Sequence, residues 1–189
     1  KACQLLIKSG VWPIALEECN IGTMVINGIP LAPRFNNYDI RDKCEKPPLC
    51  YDFSPADKML ARNDIQTVLG VPGRSWTECN MVVHTALLGD WMVNLAPKVT
   101  DLLNAGIDTL VYSGDKDFIV NWRGGEAWTD AVAWSGHAGY SQAKYVDWNV
   151  NGKAAGHLKA YKNLKFLRVY DAGHMVPMNQ PEAALQMLN

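Results

Sequence analysis

The sequence has no excess of charge of either sign. Eighteen Lys and Arg face nineteen Asp and Glu, a formal net charge of −1, without blocks of one sign. That balance argues against nucleic acid or an anionic membrane surface as main partner. No apolar run approaches the roughly 20 residues that a membrane-spanning helix needs, so no membrane association is expected. The cysteines show no Cys-x-x-Cys spacing and have no His at ligand distance, which argues against zinc. No metal or other cofactor is implied. There is no Asn-x-Ser/Thr sequon, so no N-linked glycan is expected, and there is no internal repeat. A signal peptide is missing too, and the first residue is Lys1 rather than Met. An N-terminal portion is therefore expected to be absent or removed.

What is present is 189 residues, enough for one ordinary domain with a substantial core. Five cysteines, Cys3, Cys19, Cys44, Cys50 and Cys79, all fall in the first 80 residues. Such clustering in a loop-rich region fits disulfides and an oxidising compartment. The odd count leaves one partner elsewhere, or one free thiol.

Residues 1–8 read as a helix remnant. Met24-Val-Ile26 before Asn27-Gly28 predicts a short hairpin, and Ile29 to Tyr51 reads as loop. Ser54-Pro-Ala-Asp57 is expected to cap and open a helix that runs to Gly70. Met81 to Asn94 carries few breakers and predicts a further helix. Leu95, Val99, Leu102 and Leu103 give an amphipathic helix closed by Gly106. A strand at Ile107–Tyr112 follows at once, as in the αβ units that build parallel sheets. A helix at 121–132, one or two strands around the Asn151-Gly152 turn, a strand ending at Tyr170 and a helix from Pro181 complete the chain.

The chemistry sits at two strand ends. Ser113-Gly114 breaks the first strand, and Asp115 and Asp117 follow in the loop. The second strand, Phe166 to Tyr170, leads into Asp171-Ala-Gly-His-Met-Val-Pro177, which carries His174. In open α/β sheets catalytic side chains gather outside the carboxyl ends of the strands. Acid first and histidine second is the order of the last two members of a Ser…Asp…His triad. Alternate residues of an extended loop face opposite ways, so Asp115 and Asp117 compete for the acid. His84, His137 and His157 match no motif and read as surface or satisfied residues.

Gly114-Asp-Lys-Asp-Phe-Ile-Val-Asn-Trp122, Ala127-Trp-Thr129 and Gly173-His-Met-Val-Pro177 together resemble the serine carboxypeptidases, the yeast vacuolar type in particular. Asn37-Tyr-Asp-Ile-Arg41, the Cys44/Cys50 pair and Gly89-Asp-Trp-Met92 fit the same family. The resemblance runs from about Cys3 to the end, but it covers only the C-terminal part of such an enzyme. No serine lies in a Gly-x-Ser-x-Gly elbow. Gly73-Arg-Ser-Trp-Thr77 ends in Thr and follows no strand.

The resemblance implies an α/β-hydrolase fold, with residues 1–96 in a disulfide-bearing cap insertion and 97–189 in the C-terminal part of the core. It implies Asp117 as the triad acid and His174 as the base, with Asp115 left to bond loop backbone amides. Trp91, Ile119 and Val120 correspond to positions lining the pocket for the residue before the scissile bond. Tyr38, Tyr51 and Met175 correspond to those holding the released residue. Some members carry Cys where this chain has Val120, so reactivity towards thiol reagents is expected to be low there. The resemblance also pairs Cys3 with Cys19 and Cys44 with Cys50, and sends Cys79 to a missing N-terminal portion. The implied partners are that portion and a peptide substrate, and the implied location is the secretory pathway, a vacuole or lysosome, or the exterior. A carboxypeptidase-like acyltransferase or lyase, and a non-catalytic scaffold that keeps these loops, are the alternative readings.

Overall fold

The computed structural model describes residues 2–30 and 32–188. The chain divides into two compact units, Lys1–Ala32 with Cys44–Val93, and Pro33–Lys43 with Asn94–Asn189. The short segment 33–43 thus belongs with the C-terminal unit.

The first unit is helical. Its elements are α1 (Ala2–Lys8), α2 (Trp12–Asn27), α3 (Ser54–Leu60), α4 (Asn63–Val68) and α5 (Met81–Ala86). Cys3 of α1 is joined to Cys19 of α2, and Cys44 to Cys50. Three expectations are corrected here. The expected hairpin at 24–28 is the end of α2, because Gly28 takes φ +88° and its N–H caps the Met24 carbonyl. An Asn-Gly pair serves a helix end as well as a tight turn. The helix expected from Ser54 to Gly70 breaks at Ala61-Arg62, and Ser54 is its first residue rather than its cap. The Asp52 carboxylate takes the cap role, accepting from the Ser54 N–H at 3.1 Å. The helix expected over 81–94 stops at Ala86 and gives way to turns.

The second unit holds α6 (Ala96–Asn104), β1 (Thr109–Gly114), α7 (Trp122–Ala131), α8 (His137–Gln142), β2 (Val146–Val150), β3 (Lys153–Tyr161), β4 (Leu164–Val169), α9 (Val176–Asn179) and α10 (Pro181–Leu188). The strands form one sheet in the order β1-β4-β3-β2. β1 and β4 are parallel, and the other two pairings are antiparallel. Asn151 and Gly152 both have positive φ, the backbone of a type I′ hairpin joining β2 to β3. Expected over 107–112, β1 in fact starts and ends two residues later. Its ladder with β4 continues through Ser113 and Gly114, paired with Arg168 and Val169. At the other end the Asn163 side-chain amide donates to the carbonyls of Leu103 and Ile107, at 3.0 and 2.9 Å. That tie fixes where the α6–β1 corner meets β4.

β4 is the buried spine. Leu164 and Phe166 point to one face and join Leu103, Val132, Trp134 and Tyr140. Leu167 and Val169 point to the other and join Ala172 and Val176. The two faces alternate with the strand pleat, and each fully buried side chain of this size contributes about 1.5–3 kcal/mol. β1 is an edge strand, with no second neighbour among the described residues. Its Leu110 and Tyr112 are 38 % and 46 % exposed. With Pro177, Ala184, Leu185 and Met187 they line an open apolar groove of about 570 Å³.

Candidate active site

Parallel pairing of β1 and β4 sets their carboxyl ends side by side, so the loops that follow meet. The contact is close. A methyl group on Gly114 would collide with the carbonyls of Ala172 and Gly173, and one on Gly173 would collide with the carbonyl of Tyr38 and with Asp39. Three backbone segments therefore stack where only glycine fits. The loops are stitched by backbone bonds: Asp115 N–H to Val169 at 2.9 Å, and Lys116 N–H to Ala172 at 2.8 Å.

Within this frame His174 Nδ1 lies 2.9 Å from Asp117 Oδ2. The Asp117 side chain is 4 % exposed and that of His174 37 %. The second carboxylate oxygen, Oδ1, accepts from the Val120 N–H at 3.2 Å, so the acid is oriented from both sides. A buried carboxylate on Nδ1 fixes the tautomer and leaves Nε2 for proton transfer. Asp115 faces elsewhere. It pairs with Lys116 at 3.2 Å and Arg168 at 3.5 Å. The expectation that Asp115 bonds loop amides is thus corrected, because two cations flank it instead. The Arg168 guanidinium also stacks 4.0 Å over the Trp122 ring.

Of the other residues named from the sequence, Tyr38 has its ring 5.4 Å from that of His174. Ile119 and Val120 follow Asp117 and are 49 % and 55 % exposed. Met175 forms the N-terminal boundary of α9, its carbonyl accepting from Met178 and Asn179. Trp91 and Tyr51 belong to the other unit, where Trp91 packs against His84 and Tyr51 against Phe53. Cys79 is exposed and the one unpaired cysteine among the described residues. The remaining histidines have ordinary partners. His137 Nδ1 is 3.1 Å from the Val132 carbonyl, and His157 Nε2 is 3.0 Å from Asp147. No group of acids, histidines and cysteines able to hold a metal occurs among the described residues. Nor is any described helix long and apolar enough to cross a membrane.

Sequence reasoning missed how residues 36–41 hold this site together. Asn37 was expected only as part of a resemblance, yet its carbonyl accepts from the N–H groups of both Phe118 and Ile119, each at 3.1 Å. No periodicity announces such a segment. Its one legible hint is the Asn and Asp content typical of side-chain-stabilised turns.

The serine carboxypeptidase family model matches residues 13–189. The chain belongs to the serine carboxypeptidase family. A serine carboxypeptidase-like protein of Pisum sativum is 47 % identical over 191 residues, covering 99 % of this chain and 66 % of that protein. Carboxypeptidase Y of Komagataella phaffii is 45 % identical, covering 82 % of this chain and 30 % of its own length. Serine carboxypeptidase-like 47 of Arabidopsis thaliana is 48 % identical, with 92 % and 34 % covered. The chain therefore spans about a third of the length of the Komagataella and Arabidopsis proteins and about two thirds of the pea protein. Among solved structures, a prohormone-processing carboxypeptidase from Saccharomyces cerevisiae superposes with a TM-score of 0.67 at 25 % identity, covering 82 % of this chain and 35 % of that one. The fold is accordingly of the α/β-hydrolase kind.

Proposed function

We propose that this chain supplies the acid and the base of a Ser-Asp-His triad in a serine-type carboxypeptidase, whose serine and oxyanion hole lie upstream of Lys1. The observation that carries this reading is the buried Asp117 carboxylate on His174 Nδ1 at 2.9 Å. In the proposed reaction His174 Nε2 takes the serine proton as Oγ attacks the scissile carbonyl. Asp117 stabilises the imidazolium that forms. His174 then returns the proton to the leaving amine, releasing the C-terminal residue, and activates water to hydrolyse the acyl-enzyme. Ile119, Val120, Met175 and Tyr38, all near Asp117 or His174 in sequence or space, are the substrate-contacting candidates of this unit. Trp91 and Tyr51 are those of the other.

The upstream portion is also the proposed structural partner. An edge strand with an unpaired ladder is a template for another strand, and the apolar groove beside Leu110 and Tyr112 favours burial. Exposed Cys79 is the proposed covalent link. Two intrachain disulfides favour an oxidising setting, hence the secretory pathway, with a vacuolar, lysosomal or extracellular end point.

The test is turnover of a blocked dipeptide at acidic and neutral pH, by residues 1–189 alone and by the longer polypeptide. Activity is expected only from the longer one. Turnover by the chain alone that disappears in His174→Ala would place a nucleophile inside it and overturn the reading.

A further inference from the structure

The two loops that carry Asp117 and His174 are not held by each other alone. A turn from a distant part of the sequence is bound to both. Asn37 C=O accepts from the Phe118 and Ile119 N–H groups, and Ile40 N–H donates to Lys116 C=O at 3.0 Å. On the other side Tyr38 C=O accepts from the His174 N–H at 2.7 Å. One four-residue stretch, 37–40, thus bonds the backbone beside Asp117 and the backbone of His174 itself. These contacts hold only while the turn keeps its shape, and two buried side chains set that shape. Asn36, 1 % exposed, accepts from the Tyr38 N–H at 2.9 Å through Oδ1. Asp39, also 1 % exposed, accepts from the Arg41 N–H at 3.0 Å and from the Arg41 guanidinium at 2.8 and 2.5 Å. Asp39 in turn packs under Gly173, where no side chain fits.

We propose that the 36–41 turn is a positioning clasp for the Asp117–His174 pair, with Asn36 and Asp39 as positioning residues and Arg41 as the counter-charge that holds Asp39 in place. The proposal rests on the reading of Asp117 and His174 as a catalytic pair. Neither Asn36 nor Asp39 bonds the imidazole or the Asp117 carboxylate. Their effect passes through the carbonyls of Asn37 and Tyr38 to the two loops. Displacement of a reacting group by about 1 Å costs on the order of 100-fold in rate, so loss of the clasp should appear in kcat.

The experiment is steady-state kinetics on the longer polypeptide that contains this chain, with Asp39→Ala, Asp39→Asn, Asp117→Asn and Leu164→Val. Rates are normalised to folded enzyme, and the most downfield His174 Nδ1–H proton resonance is followed in parallel. The expected result for Asp39→Ala is a kcat loss approaching 100-fold, KM changed little, and loss of the Nδ1–H resonance. Asp39→Asn keeps one acceptor for Arg41 and should fall between it and the parent. Leu164→Val, in the core at the far end of β4, should lower thermal stability and leave kcat and the resonance alone. If Asp39→Ala does not fold, Asp39→Asn decides. Parental kcat and resonance in Asp39→Asn then overturn the proposal. If Asp117→Asn itself leaves kcat unchanged, the catalytic reading fails, whatever the clasp does. If Asp117→Asn collapses kcat while both Asp39 variants match the parent, the clasp alone fails.

Discussion

His174 Nδ1 and Asp117 Oδ2 lie 2.9 Å apart although 57 residues separate them. What closes that gap is the parallel β1–β4 pairing, which brings Gly114 level with Val169 and sets the two loops in contact. Asp117→Asn keeps the size of the side chain but puts an amide where Nδ1–H needs an acceptor. In the longer enzyme kcat should fall by about 10³–10⁴, with the fold retained by circular dichroism. A loss below tenfold would take Asp117 out of the triad.

The stacking of Gly114, Gly173 and Tyr38 predicts intolerance of a single methyl. Overpacking typically costs about 1–3 kcal/mol, and Gly173→Ala should reach that range in denaturant unfolding. Gly124→Ala is the contrast, since the atom nearest to its new methyl lies 3.6 Å away. Equal stability for the two variants would show that the loops have slack.

Stability in acid should depend on Asp39. The hydrogen bond from the Arg41 side chain, opposed by burial, holds its carboxyl below the usual carboxylate range. A depressed folded-state pKa contributes stability that is fully present above the unfolded value and lost as pH falls through the folded one. Unfolding free energy should therefore drop below about pH 4, and Asp39→Asn should flatten that limb. The exposed Lys46–Asp52 pair acts in the same direction, with the Asp52 pKa lowered to about 2. Being exposed it is screened by salt, so measurement at high salt leaves mainly the Asp39 contribution. An acid limb identical in parent and Asp39→Asn under those conditions would remove Asp39 from the account.

Thiol labelling should separate the chain from the longer polypeptide. Without reductant, residues 1–189 alone should take up one maleimide, at the exposed Cys79. The longer polypeptide should take up none there, its Cys79 being joined to an upstream cysteine. Val120 offers no thiol beside the site. Full labelling of Cys79 in the longer polypeptide would exclude the covalent link.

The strands and their loops were legible because their signals are local. Phe166 to Tyr170 is strand-like with Arg168 its one charged residue, Asn151-Gly152 is a hairpin turn, and Gly173-His174 lies in the loop that follows a strand. The β1 boundary was placed two residues early because Ser113-Gly114 looks like a break. Its ladder bonds to β4 continue through both residues, and Gly114 is there for the close approach of Ala172 and Gly173. The choice between Asp115 and Asp117 was beyond local pattern. It depends on which acid meets His174 and which meets Arg168, and tertiary structure brings both partners in, from 57 and 53 residues away. Beyond its Asn and Asp content, the clasp at 36–41 was not legible, for the same reason. Asn36 and Asp39 shape it through side-chain bonds to backbone, which leave no period in the sequence.

The central claim is that His174 serves a serine outside these 189 residues. The direct measurement is reaction of the longer polypeptide with an alkyl fluorophosphonate, followed by digestion and mass spectrometry. The account predicts one adduct, on a serine upstream of Lys1 within a Gly-x-Ser-x-Gly sequence, and loss of that adduct in His174→Ala. An adduct on a serine between residues 1 and 189, or an upstream adduct that forms equally well in His174→Ala, would contradict it.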